Sequence, residues 1–133
     1  MGAHGEPGLR QLSPIPSPEE LTSEMISLLT DTSDGDRAFI PFGEGPEEVV
    51  LLVNSLGSTS DEVLARFAEL AIKELKRKGK TVRRLTLGPM VTSLKMSGFG
   101  FTVWKLPSNG DLLSRDNALE CWDRNVDVVA WRQ

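Results

Sequence analysis

With a single cysteine, Cys121, the 133-residue chain cannot form an internal disulfide framework, and a reducing cytoplasm is its natural compartment. Positive charge is also short, with 15 Lys and Arg against 19 Asp and Glu for a net of −4. That balance argues against nucleic acid or an anionic membrane as partner and leaves room only for a local basic patch. No apolar run reaches bilayer length, and Glu6 and Pro7 stand where a secretory leader would have its apolar stretch. Neither a Walker-type phosphate loop nor a Rossmann glycine fingerprint occurs, so any phosphoryl transfer needs a nucleotide held elsewhere. Internal repeats are absent too. What remains is a soluble chain of single-domain length, 1–133, long enough to bury a core unaided.

The stretch around which the rest must be fitted runs from Val49 to Ser60. Its apolar run, Val49 to Val53, suits a central strand covered on both faces. Asn54, Gly57 and Ser58 break the run, and Thr59 with Glu62 makes a capping box that opens a helix. In open α/β sheets ligands sit outside the carboxyl ends of strands, which makes 54–59 one place for binding chemistry. The helix, Ser60 to Lys78, has Leu64, Phe67, Ala68, Ala71, Ile72 and Leu75 on one face. Glu62 with Arg66, Glu69 with Lys73 and Glu74 with Lys78 make ordered pairs on the other. Gly79 ends it, and Thr81 to Leu87 reads as a second strand joined by a right-handed parallel crossover.

Around that unit, residues 1–17 are extended chain, rich in Gly and Pro. Ser17, Pro18 and Glu20 open a helix whose stripe is Leu21, Met25, Leu28 and Leu29. Residues 31–48 form a long loop, pinned to the core by an island of Phe39, Ile40 and Phe42. Residues 89–97 are a loop with one helical turn, and a third strand follows from Phe99 to Leu106, where Gly98 and Gly100 signal a bulge or a close backbone approach. A short helix over 111–121 and a last strand over 126–131 close the chain. The fold class is therefore α/β, a layered domain with a mixed, partly parallel β-sheet flanked by helices.

Few residues carry evident chemistry. His4, the only histidine, lies in Gly2-Ala3-His4-Gly5-Glu6-Pro7-Gly8, where glycines let a ligand approach closely. On the residues alone, a solvated terminal histidine and a reactive one both fit. The cluster Lys73, Lys76, Arg77, Lys78, Lys80, Arg83 and Arg84 suits a solvated helix end better than a phosphate patch. Asp31, Asp34 and Asp36 lack the ligand alternation of a calcium loop, and Cys121 beside Trp122 reads as a buried or half-buried small hydrophobe.

Three separated pieces resemble one family. They are the His4 motif; Leu51-Leu52-Val53-Asn54-Ser55-Leu56-Gly57 with Thr59-Ser60; and Gly88 followed by Met90-Val91-Thr92-Ser93-Leu94-Lys95-Met96-Ser97-Gly98-Phe99. In this order they resemble the second half of the dihydroxyacetone kinase substrate-binding domain. The resemblance implies that His4 captures the ketone of dihydroxyacetone, or of a similar short ketose or aldose, as a covalent hemiaminal. Gly5, Glu6 and Pro7 would belong to the same substrate loop. Asn54, Gly57, Thr92 and Ser93 would serve turn geometry or partner contacts. It also implies ATP and magnesium on a nucleotide-binding domain not present here, and a first half of the substrate-binding domain likewise missing. Ser55 and Ser58 depart from the family's usual Asn-Asn-Leu-Gly-Gly turn. The expectation is a kinase component inactive by itself, forming homo-oligomers through the uncovered surface. The alternative is a non-catalytic interaction or regulatory module that has kept the fold and lost the site.

Overall fold

The structure, a computed structural model, describes Gly8, residues 10–36, 38–108, 110–129 and Trp131. The elements follow in the order α1 (Pro18–Thr30), β1 (Glu47–Ser55), α2 (Asp61–Arg77), β2 (Lys80–Gly88), β3 (Phe99–Lys105) and α3 (Arg115–Asp123). β1 lies at the centre of a sheet ordered β2-β1-β3, parallel to β2 and antiparallel to β3. The fold is thus α/β with a mixed sheet between helices. The β1-α2-β2 crossover supplies the parallel pair, because strands running the same way need a long connection between them.

The unbroken apolar run of β1 serves two cores. Val49, Leu51 and Val53 point to one face, where they meet Ile26 of α1, Leu64, Ala68, Ala71 and Leu75 of α2, and Phe101. Val50 points the other way, onto Leu106, Ala118 and Leu119 with Trp104 and Trp122 beside them. A strand alternates its side chains between faces, so a run with no polar break is what a two-sided strand requires. Each fully buried Leu, Ile or Val contributes roughly 1.5–3 kcal/mol. Phe67, Phe99 and Phe101 stack in sequence at the sheet edge, with ring centroids 4.1 and 5.4 Å apart.

α1 begins as expected. The Ser17 hydroxyl accepts from the Glu20 amide at 3.2 Å while the Glu20 carboxylate accepts from the Ser17 amide at 2.9 Å. α2 begins one residue later than the capping box implied: Ser60 is its N-cap, receiving the Val63 amide, because the Thr59 hydroxyl is used elsewhere. Its surface pairs also differ from simple i,i+4 spacing, since Glu74 takes Arg77 at 2.7 Å and Arg66 reaches Glu19 of α1 at 3.6 Å.

Several expectations are corrected. Residues 126–129 form no strand; the chain instead turns through Trp131 N–H to Val128 O, and Trp131 packs edge-on against Trp122 at 5.1 Å. β-Branched composition raised the expectation, but a strand exists only where a neighbour accepts its backbone bonds. The last helix lies at Arg115–Asp123, set by Ser114 as N-cap, and Cys121 on it is exposed rather than buried. Of the loop island only Phe42 is buried, with Phe39 and Ile40 on the surface. The register of β1 with β3 runs without a break through Gly100, and the sheet's irregularity falls in β2, between the Val49 and Val50 pairings. The close approach at Gly98 is real: a Cβ there would stand 3.1 Å from Leu56 Cδ1. Residues 89–97 form turns rather than a helical turn.

Candidate functional site

At the carboxyl end of β1 the chain builds a clamp. Asn54 is buried and makes three hydrogen bonds to one short segment: its Oδ1 accepts from the Met90 and Val91 amides at 2.8 and 2.7 Å, and its Nδ2 donates to Val91 O at 2.7 Å. One side-chain amide thereby satisfies backbone groups that no strand partner reaches. Thr59 does the same for the far end of the loop, donating to Gly98 O at 2.7 Å and accepting from its amide at 3.1 Å. Between the two, Ser93 N–H donates to Leu56 O at 2.7 Å, Ser58 N–H to Met96 O at 3.0 Å, and the Ser58 and Ser97 hydroxyls meet at 3.0 Å.

Gly57 fixes how closely the two segments approach. Its φ of 141° is one that side chains disfavour, and a Cβ there would stand 2.5 Å from Ser93 O. The turn that follows β1 and the loop that follows β2 are therefore one joined unit, with Gly57 bridged to Met96. Of the residues expected to matter here, Asn54, Gly57 and Ser93 come together, Ser93 through its backbone. Thr92 lies beside them with its side chain exposed. Holding this turn falls to the Asn54 and Thr59 side chains. His4, Gly5, Glu6 and Pro7 lie outside the described residues.

A second polar cluster stands at the other end of β1. Lys80, only 3% exposed, places its ammonium 2.6 Å from Glu47, and Lys105 reaches the same carboxylate at 2.7 Å. The two ammonium groups also donate to the carbonyls of Gly43 and Pro41, while the Gly43 amide donates to Glu47 at 3.0 Å. Burial pushes the Glu47 carboxyl up, but the hydrogen bonds from Lys105, Lys80 and Gly43 outweigh it and hold its pKa at about 2. The cluster ties the 41–46 loop to all three strands. Neither lysine announced this in sequence, where Lys80 looked like one of a run of helix-end cations.

Four cations of that run, Lys80 among them, are engaged by carboxylates of this chain. Arg77 pairs with Glu74, Arg83 with Glu48 at 3.3 Å, and Arg84 with Asp123 through contacts of 2.6 and 2.8 Å. Beside Glu48 a cleft of about 670 Å³ opens, lined by Thr81, Ser108, Ser114 and Arg115 among others. It sits at the end of β1 opposite the clamp, and Asn54, Gly57, Thr92 and Ser93 do not line it. Among the described residues no group of three or more His, Cys, Asp or Glu is placed to hold a metal ion, and no helix is long and apolar enough to cross a membrane.

Comparison with known proteins gives the geometry a context. The Dak1 domain family matches residues 1–130. The chain is 40% identical to dihydroxyacetone kinase 2 of Saccharomyces cerevisiae over 134 residues, all of this chain and 22% of that protein. It is 36% identical to the dihydroxyacetone kinase of Komagataella pastoris, over 95% of this chain and again 22% of the relative. A solved structure titled "Regulation of the dha operon of Lactococcus lactis" matches with a TM-score of 0.66 at 28% identity, over 80% of this chain and 31% of that one. The chain thus spans about a fifth of the length of these two kinases.

Proposed function

This chain belongs to the Dak1 domain family, and we propose that it is the carboxyl-terminal half of a dihydroxyacetone kinase substrate-binding domain, with His4 as the covalent anchor for the substrate. The observation that carries this reading is the extent of the family match, which begins at residue 1 and so takes in the His4 motif as well as the clamp. Gly5, Glu6 and Pro7 are assigned to the loop that frames the captured ketone.

In the proposed step a neutral imidazole nitrogen of His4 adds to the ketone carbon. The C=O π bond breaks, its electron pair goes to oxygen, and the proton lost from the imidazole balances the one the oxygen gains, leaving a hemiaminal. A polyol has no carbonyl to add to, so this chemistry separates ketone from alcohol more sharply than hydrogen bonds do. The held substrate then presents its terminal hydroxyl to a phosphoryl donor, and much of the acceleration comes from positioning. ATP and magnesium are assigned to a nucleotide-binding domain outside this chain, and the first half of the substrate domain to a separate segment. Self-association through exposed Leu112, Val128 and Val129 belongs to the same reading; a chain that sediments as a strict monomer at high concentration would remove it.

The test is reconstitution. With the missing parts supplied, the assembly is expected to phosphorylate dihydroxyacetone but not glycerol, and His4→Ala to abolish that activity while leaving assembly intact. Undiminished turnover by His4→Ala would overturn the assignment. A second reading, a regulatory module without catalysis, draws on the solved neighbour whose title concerns regulation of the dha operon. Under it, the reconstituted assembly binds ligand without turnover.

A further inference from the structure

The clamp at the end of β1 has a conspicuous product: it holds an apolar tip out in solvent. Leu94 is 93% exposed and Val91 54%, on a segment whose two ends are fastened by Asn54 and Thr59. Lys95, next to Leu94, sits at φ 55°, a backbone conformation in which a lysine gains nothing locally. Scattered surface leucines are ordinary, but here a buried Asn54 and a half-buried Thr59 converge to hold one in place. A tip fixed before binding loses little conformational entropy when it docks.

We infer that residues 91–95 are a preformed docking knob that seats Leu94 and Val91 in an apolar socket, rimmed by carboxylates, on the part of the kinase assembly this chain does not span. Two observations choose that occupant. From Gly88 to Gly98 the only ionisable side chain is Lys95, so the knob is positive on a chain of net charge −4, and its socket must be complementary to it. The chain also spans only 22% of the kinases it resembles, so most of such an assembly lies outside it. The inference rests on the reading that this chain works as one part of a kinase.

The test titrates the purified 133-residue chain into the remainder of Saccharomyces cerevisiae dihydroxyacetone kinase 2, expressed without the matched segment and checked for folding by circular dichroism. Leu94→Asp is expected to weaken binding at least about tenfold and Leu94→Met to restore it, with Lys95→Glu also weakening it by reversing the rim charge. Phe39→Asp, an exposed position on the 31–48 loop that belongs to neither proposed surface, is expected to change nothing. Equal affinity of Leu94→Asp and the parent chain would overturn the proposal, as would no binding by the parent chain to a folded remainder. A Leu94→Asp effect confined to self-association in sedimentation, or to binding of phosphatidylserine vesicles, would also overturn it by naming a different occupant. If the knob variants lose binding while no complex captures dihydroxyacetone, the docking surface stands and only the capture reading falls.

Discussion

Replacing Asn54 with Ala removes three hydrogen bonds at once, leaving the Val91 amide and carbonyl without the side chain that satisfies them and the Met90 amide with only its 3.2 Å bond to Gly88 O. A net hydrogen bond contributes about 1 kcal/mol, and a buried polar group left unpaired costs roughly 1–3 kcal/mol. Water can reach exposed Val91, so the loss should sit near the lower end, about 2–3 kcal/mol in all. The effect should be local before it is global, because Asn54 fastens the 89–97 loop without contributing to either apolar core. Native-state amide exchange reads this directly. Val91 should lose most of its protection in Asn54→Ala and Met90 part of it, while Leu51 and Val53 at the centre of β1 should lose only what the global change in stability dictates. Asn54→Asp keeps both acceptor contacts but sets a buried carboxylate against Val91 O, so it should expose the same amides less. Unchanged protection at Met90 and Val91, with urea stability within about 0.5 kcal/mol of the parent, would refute the clamp.

Two further expectations concern the frame. Glu47 has its folded pKa lowered from 4.5 to about 2, so its contribution to stability is complete above pH 4.5 and disappears as pH falls through about 2. That shift corresponds to about 3 kcal/mol; Glu47→Gln should therefore be destabilised by about that much at pH 7 and approach the parent near pH 2, and a gap that stays constant in urea melts across this range would contradict it. Thr22 in α1 is buried and its Oγ1 has no hydrogen-bond partner among the described residues, so Thr22→Val should raise stability by about 1 kcal/mol. A loss on this substitution would mean that the hydroxyl is satisfied.

Much of the frame was legible because it depends on local patterns. The five-residue apolar run of β1, the Ser17-Pro18-Glu20 start of α1 and the stripe of α2 each carry their own signal, and each formed where expected. What sequence could not give was competition between distant partners. Thr59 looked like a helix cap, yet Gly98 takes its hydroxyl and leaves the cap to Ser60. Lys80 looked like a helix-end cation, yet the sheet brings Glu47 and the 43–45 carbonyls to it. Residues 126–129 had a strand's composition but pair with neither edge strand of the sheet. At the site, Asn54 and Gly57 were found through their motif, whereas the bond that unites them with residues 90–98 appears only once β1 and β2 lie parallel.

The central claim is the role of His4, and the measurement that tests it most directly is NMR with dihydroxyacetone labelled at its carbonyl carbon, in the complete assembly. The proposed function requires the ketone signal to move to the range of a tetrahedral carbon, and the shifted signal to vanish in His4→Ala. A ketone signal that stays in place on a folded, substrate-saturated assembly, or one that moves equally in His4→Ala, would contradict it.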